Sequence, residues 1–152
     1  MTINVPNIVN EIQLVYKTKV PKEDRPKIIA SDDAYDVFRN NWSAQMGLIE
    51  EFNMLLLDRS NRVMAMSNIS KGGISATLID IKIVFATALL GRASSIILAH
   101  NHPSGNLSPS QADIKLTKKF MRASEILDIK LFDHLILSPE GNYYSFAENN
   151  AL

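Results

Sequence analysis

Apolar residues recur along the chain in two periods, at every second position in some stretches and at every third or fourth in others. Alternation over residues 8–16 predicts a half-buried strand at a sheet edge, ending before Pro21. Apolar runs bounded by turn residues predict five further strands, at residues 51–57, 62–69, 94–100, 130–137 and 142–146. The runs at 51–57 and 94–100 are apolar on both faces, so we expect them in the centre of the sheet.

The longer period predicts two helices in the first two thirds of the chain. The first begins at Ser31, whose hydroxyl and the following acidic residues suit the free N–H groups of a helix start, and it ends before Gly47. The second helix follows Asp80 as its N-cap, and Gly91 stands where a left-handed residue commonly ends a helix. Each helix then has an apolar face to pack on the sheet.

A third helix is predicted from a capping box of Ser108 and Gln111, with Pro109 at the first helical position and an end near Asp128. Its expected buried stripe consists of Ala112, Leu116, Phe120, Ala123 and Leu127. Strands and helices together predict an α/β (α+β) fold, in which helices flank a mixed, mostly antiparallel β-sheet. We expect residues 1–152 to form a single domain, because no repeat, low-complexity stretch or linker interrupts them.

The composition limits the classes of protein to which this chain can belong. The chain has 152 residues, of which 46% are apolar, and its sixteen basic and sixteen acidic residues give a formal net charge of zero. Only a local patch could therefore attract nucleic acid. No apolar run approaches the roughly 20 residues of a membrane helix and the first residues do not resemble a secretory leader, so we expect a cytoplasmic protein. The absence of cysteine excludes disulfides, thiol nucleophiles and thiolate zinc sites.

The candidate chemistry lies where the strand at residues 94–100 ends. It runs into His100-Asn101-His102, and the two imidazoles project from the same side because strand side chains alternate. Asp113 follows within the first two turns of the third helix, which must start beside that strand end. Two histidines, one carboxylate and a position left for water are typical of a catalytic zinc site. The residues therefore predict a metal bound by His100, His102 and Asp113.

Other interpretations of these residues stay open. The same ligand set makes the facial triad of non-haem iron oxygenases, and Asp113 alone would suit a helix start. His134 lies on a late strand, where it is either a structural residue near the site or an alternative ligand. Four basic residues on the third helix could follow a phosphate backbone, although a solvated face explains them more simply: Lys115, Lys118, Lys119 and Arg122.

The spacing of these residues resembles a known family. The run His-x-His, seven residues, Ser, two residues, Asp, formed here by His100, His102, Ser110 and Asp113, resembles the JAMM motif of the JAB/MPN metalloproteases. The sequence LAHNHPSG at residues 98–105 resembles that of the RadC branch, whose members were historically described as DNA repair proteins. The resemblance implies a JAB/MPN-like domain of cytidine-deaminase-like architecture. Its motif-bearing core would span about residues 48–148, behind the strand and helix expected at residues 8–46.

The resemblance also implies an activity and residue roles. The family pattern includes a glutamate on an earlier strand, matched by Glu50, which would take a proton from zinc-bound water; periodicity alone leaves Glu51 open. Ser110 would donate a hydrogen bond to the oxyanion of a tetrahedral intermediate. The implied reaction is zinc-dependent hydrolysis of a peptide or isopeptide bond in a peptide or protein substrate.

The alternative class is a non-catalytic or DNA-associated repair module in which the metal is structural. Longer RadC proteins carry a helix-hairpin-helix segment that would bind DNA. The first 45 residues here show no Gly-rich turn between two helices, which weakens the expectation of DNA binding.

Overall fold

Two strands whose residues are all buried run through the middle of the structure, a computed structural model that describes residues 17–72 and 78–152. They are β1 and β3, and their burial confirms that they are central. In chain order the elements are α1 (Ser31–Asn41), β1 (Glu51–Leu57), β2 (Val63–Lys71), α2 (Ile81–Leu90), β3 (Ser95–Asn101), α3 (Gln111–Leu127), β4 (Lys130–Leu137) and β5 (Tyr143–Ser145). The strand expected at residues 8–16 lies outside the described residues.

The strands form one five-stranded sheet in the order β2-β1-β3-β4-β5. Strand β1 is antiparallel to both β2 and β3, and β4 is antiparallel to β5. Strands β3 and β4 are parallel, and α3 connects them. The α/β class, with a mixed and mostly antiparallel sheet flanked by helices, is therefore confirmed.

The core is divided between the two faces of the sheet. One cluster contains Phe38 of α1 together with Ile97 and Ala99 of β3. The other contains residues of α2 and α3 together with Ile96 and Leu98 of β3. Because strand side chains alternate, His100 continues the row that faces α2 and α3, and Asn101 continues the row that faces α1.

The observed helix starts correct two details of the predicted ones. Helix α1 begins at Ser31 as predicted, but its N-cap is Ala30, and the Ser31 hydroxyl donates to Asp133 Oδ2 at 2.9 Å instead of capping the helix. Helix α3 begins two residues later than expected, with Ser110 as N-cap and Asp113 as its capping-box partner. The box predicted from Ser108 is wrong, because the N–H of Ser108 donates to Asn106 Oδ1 in the preceding turn.

The predicted end of α2 is also corrected in one detail. Gly91 follows the helix as expected, but its φ of −73° is right-handed, and Arg92 takes the left-handed conformation at φ 55°. Space favours glycine here instead, since a Cβ at position 91 would lie 2.2 Å from Cδ2 of the buried Leu56, whose side chain would have to move. Asp80 caps α2 as predicted, accepting the N–H of Lys82 at 2.9 Å.

The buried face of α3 is rotated from the predicted stripe. Thr117, Phe120 and Ser124 are its buried residues, whereas Ala112 and Leu127 are exposed. Polar side chains at helix positions are poor markers of burial, so an apolar pattern did not reveal Thr117 or Ser124. Within the described parts of the chain, no helix is both long enough and apolar enough to cross a membrane.

Candidate metal centre

Three side chains converge at the carboxyl end of β3. His100 Nε2 lies 3.0 Å from His102 Nε2 and 3.2 Å from Asp113 Oδ1, and His102 Nε2 lies 3.7 Å from Asp113 Oδ2. One nitrogen or oxygen from each residue falls within 4.8 Å of the others. His100 is buried, and the other two side chains are only partly exposed. The structure thus brings together the three residues that the sequence proposed as ligands.

The backbone explains why two histidines two residues apart meet one helix start. The N–H of His102 donates to Leu137 O of β4 at 2.9 Å, which keeps His102 aligned with the strand. The chain then turns through Gly105, whose φ of +79° is left-handed. The carboxyl ends of parallel strands are where α/β sheets place ligands, and the β3–α3 connection lies at such an end.

The start of α3 orients the carboxylate. Asp113 Oδ2 accepts hydrogen bonds from the N–H and the hydroxyl of Ser110, each at 2.7 Å, while the N–H of Asp113 donates to Ser110 Oγ at 3.1 Å. These reciprocal bonds form a capping box. They leave Asp113 Oδ1 directed at His100, so the cap and the cluster share one carboxylate.

The charges of the cluster depend on one another. Burial would raise the pKa of Asp113, but hydrogen bonds from His100 and His102 outweigh it and hold that pKa well below its usual range. The hydrogen bond to Asp113 raises the pKa of His102, although burial opposes the shift. A carboxylate that stays ionised beside two imidazoles is the donor set that zinc takes in catalytic sites, so the residues fit that ion.

Glu50 lies directly before β1, on the same side as the cluster. Burial raises the pKa of its carboxyl group, and the charges of His100 and His102 lower it in part. Phe52, two residues later, pairs with His100, so strand alternation puts Glu50 on the side of the sheet that carries the candidate ligands. The carbonyl of Glu50 accepts the N–H of Gly72 at 2.8 Å, which ties this residue to the end of β2.

Glu51, the alternative left open by the sequence, points to the other face of the sheet. Its side chain is 1% exposed, lies 3.4 Å from Lys71 Nζ and accepts a hydrogen bond from the Ser43 hydroxyl. A carboxylate paired in this way, on the α1 side, does not reach the histidines. The geometry therefore favours Glu50 for a role at the cluster.

Asn101, between the two histidines, fixes the segment that carries Glu50. Its side-chain amide donates to Met46 O at 2.6 Å and to Ile49 O at 2.9 Å, and its Oδ1 accepts the N–H of Glu51 at 2.7 Å. The side chain is fully buried. Sequence reasoning missed this residue, although a polar side chain that follows Ile97 and Ala99 on one face of an otherwise mostly apolar strand was an available signal.

His134 is also at the site but lies behind the cluster. Its Nε2 is 2.9 Å from His100 Nδ1, and its Nδ1 is 2.7 Å from the hydroxyl of Thr117. Burial holds the pKa of His134 well below its ordinary value, so the imidazole is neutral. This position suits the structural interpretation rather than that of an alternative ligand. Thr117 lies outside the apolar stripe predicted for the third helix, and a polar side chain at that position did not indicate burial.

The basic residues of α3 lie away from these groups. Lys115, Lys118, Lys119 and Arg122 are all exposed, on the side of the helix opposite Phe120. Phe120 packs among the sheet residues below it.

Comparison with known proteins identifies the family. Residues 28–151 match the family described as RadC-like JAB domain, and so include the whole cluster. The chain belongs to the RadC-like JAB domain family. The resemblance seen in the motif residues is thereby confirmed, and so is the JAB-like fold.

Curated relatives of this RadC-like domain are named UPF0758 proteins, a name that states no function. A UPF0758 protein of Flavobacterium johnsoniae is 46% identical over 124 residues, which cover 80% of this chain and 52% of the relative. A UPF0758 protein of Porphyromonas gingivalis is 38% identical over 135 residues, covering 88% of this chain and 60% of the relative. The chain thus spans about half to three fifths of the length of these relatives.

Proposed function

We propose that this RadC-like domain is a zinc-dependent hydrolase that cleaves a peptide or isopeptide bond. One observation carries the proposal: His100, His102 and Asp113 converge within 4.8 Å, and the partly buried Glu50 lies on the same side of the sheet, two residues before the Phe52 that pairs with His100. A structural metal site closes its coordination with protein groups, whereas three protein ligands that leave a position for water are typical of hydrolytic sites.

Three of these residues would bind the metal ion, and the fourth would transfer protons. His100 Nε2, His102 Nε2 and Asp113 Oδ1 would hold the ion. Zinc bound there would lower the pKa of a coordinated water toward about 7 and polarise the substrate carbonyl. The Glu50 carboxylate would take a proton from the attacking water and deliver it to the leaving amine.

Ser110 is the candidate donor to the oxyanion. Its hydroxyl is exposed at the start of α3 and donates to Asp113 Oδ2 at 2.7 Å. To act on a substrate it would rotate away from that oxygen and toward the developing charge. Its N–H bond to Asp113 would remain, so the helix start would stay capped.

The proposed partner is a peptide or protein substrate, which would reach the partly exposed His102 and the exposed Ser110. Nucleic acid is the other partner considered, through the exposed basic face of α3. A DNA-associated role would make the metal structural and would leave Glu50 without a task. The half-buried position of Glu50 next to the cluster favours hydrolysis.

The first measurement is the metal content of the protein purified without added metal. We expect about one zinc per chain in the wild type and well below one in His100→Ala and His102→Ala, because each loses one of three ligands. Iron instead of zinc would favour the oxygenase interpretation. Unchanged zinc in both variants would place the site elsewhere.

The second measurement is hydrolysis by Glu50→Gln. The amide keeps the shape but cannot accept a proton, so zinc content should stay and cleavage should fall by about 10²–10⁴. A library of quenched fluorescent peptides and an isopeptide-linked counterpart serve as substrates. Glu125→Gln, at an exposed glutamate on α3, is the matched control and should keep full activity. A zinc-loaded wild type that cleaves none of these and binds duplex DNA with a steep salt dependence would support the alternative class.

A further inference from the structure

Behind the cluster, a row of hydrogen bonds runs from His100 through His134 and Thr117 to the backbone of Asp113, and the proposed hydrolysis does not use His134 or Thr117 directly. His134 sits on β4, fully buried, with its ring stacked on Phe146 at a centroid distance of 4.8 Å. Both of its ring nitrogens have partners, His100 on one side and the Thr117 hydroxyl on the other. The Thr117 hydroxyl in turn lies 2.7 Å from the carbonyl oxygen of Asp113.

The direction of the hydrogen bonds in this row follows from its last member. A carbonyl oxygen only accepts, so the single proton of the Thr117 hydroxyl goes to Asp113 O. Thr117 Oγ1 can then only accept from His134, which puts the His134 proton on Nδ1. A neutral imidazole has one N–H, so His134 Nε2 is an acceptor and His100 Nδ1 must donate to it.

The reverse direction is unfavourable. If Thr117 donated to His134 Nδ1, the two oxygens of Thr117 and Asp113 would face each other at 2.7 Å with no proton between them. His134 Nε2 would then donate to His100 Nδ1, and the remaining proton of a neutral His100 would sit on Nε2. That tautomer could not bind a metal through the nitrogen that faces Asp113.

We propose that Thr117 and His134 are positioning residues that fix the His100 tautomer, so that Nε2 presents its lone pair to the metal. The inference rests on the proposed metal site. His102 is oriented in a parallel but shorter way, since its Nδ1 lies against the carbonyl oxygen of Asn106. Both histidines therefore place a proton on Nδ1 and keep Nε2 for the ion. Ligand histidines usually donate directly to a carboxylate or carbonyl, whereas His100 reaches its carbonyl through two side chains.

Matched substitutions at each relay position test the row. Thr117→Val removes the hydroxyl at nearly constant volume, and Thr117→Ser keeps it. His134→Met removes the acceptor, and His134→Gln can place an amide oxygen near the former Nε2. We expect zinc affinity, measured by competition with a chelating dye, to fall about 10–100-fold in Thr117→Val and His134→Met. Thr117→Ser and His134→Gln should stay within about threefold of the wild type, since they keep the hydrogen bond.

Nitrogen-15 NMR of the histidine rings supplies a readout that a purely structural role would not change. In the wild type, with or without zinc, the His134 proton should be on Nδ1. In Thr117→Val, a measurable fraction of the molecules should instead carry that proton on Nε2. Urea unfolding shows whether each variant is folded. A wild-type His134 proton on Nε2, or equal zinc affinity in Thr117→Val and Thr117→Ser, would overturn this inference alone. A wild type that binds no zinc would instead overturn the proposed function.

Discussion

Helices α1 and α3 both begin with an aspartate at the third helical position whose carboxylate accepts hydrogen bonds from the residues before the helix. In α1, Asp33 Oδ2 accepts the N–H of Ile29 at 2.8 Å and that of Ala30 at 2.9 Å. In α3, Asp113 Oδ2 accepts the N–H and the hydroxyl of Ser110. Each carboxylate also complements the positive end of its helix.

The two helix starts differ in what lies across from them. Helix α3 starts beside the end of β3, so Asp113 meets His100 at 3.2 Å and His102 at 3.7 Å. Asp33 takes its hydrogen bonds from backbone N–H groups, on the other face of the sheet. A capping position is thus set by local sequence, while its further use depends on the strand that the fold brings next to it.

Asp113→Asn gives the largest expected difference between the two helix starts. With zinc at a hundred times its Kd, binding stabilises the wild type by about 2.7 kcal/mol, and a variant that has lost one ligand forgoes most of that. After chelation the difference should be smaller, because the amide oxygen of asparagine can still accept the N–H of Ser110 and only the contacts of the charge with the helix start and the histidines are lost. Urea unfolding with and without zinc measures both differences.

Asp33→Asn is the matched control. It makes the same chemical change at the same helical position, away from the histidines, so its effect should be equal with and without zinc. Equal losses in both conditions for Asp113→Asn as well would mean that Asp113 only starts a helix. The cluster would then lack its third ligand.

The sequence predicted the ligand residues better than it predicted the helix start that positions one of them. His100 and His102 were recognisable because strand periodicity alone puts them on one side. The start of α3 was misplaced at Ser108, since Ser108-Pro109 and Ser110 both resemble caps and only the fold shows which hydroxyl meets Asp113. The central positions of β1 and β3 could be predicted from the sequence, because apolar residues lie on both faces of each strand.

The hydrogen-bond partners of the supporting residues could not be predicted from the sequence, for a physical reason. The task of Asn101 depends on carbonyls 52 and 55 residues away along the chain, and that of Thr117 on an imidazole of β4. Such long-range hydrogen bonds leave no local period. The choice between Glu50 and Glu51 likewise needed the pairing of Phe52 with His100, which shows the side of the sheet that Glu50 faces.

Ser110→Ala gives a smaller effect on stability and sharpens the comparison in another way. Ser110 Oγ accepts the N–H of Asp113 at 3.1 Å, a bond that has no side-chain counterpart at Ala30 of α1. Its loss should cost about 1 kcal/mol, equally with and without zinc. If the hydroxyl also stabilises an oxyanion, hydrolysis should fall by about 10²–10³ at unchanged zinc content. Ser110→Thr, which keeps a hydroxyl, should lose much less stability and much less hydrolytic activity. Equal losses in the two variants would contradict the roles assigned to the Ser110 hydroxyl.

The smallest effect is the acid sensitivity that Asp33 confers on α1. The backbone N–H groups of Ala30 and Ile29 hold the pKa of Asp33 below its ordinary value of 3.8. A carboxyl whose folded-state pKa is lowered stabilises the fold above its unfolded pKa and loses that contribution as pH falls through the folded value. The difference in unfolding free energy between wild type and Asp33→Asn, both metal-free, should therefore be largest near neutral pH and shrink as the pH falls below the ordinary pKa of 3.8. Urea titrations at a series of pH values measure it. A difference that stays constant as the carboxyl group is protonated would mean that Asp33 supports α1 equally well without its charge, and the electrostatic half of the comparison with Asp113 would fail.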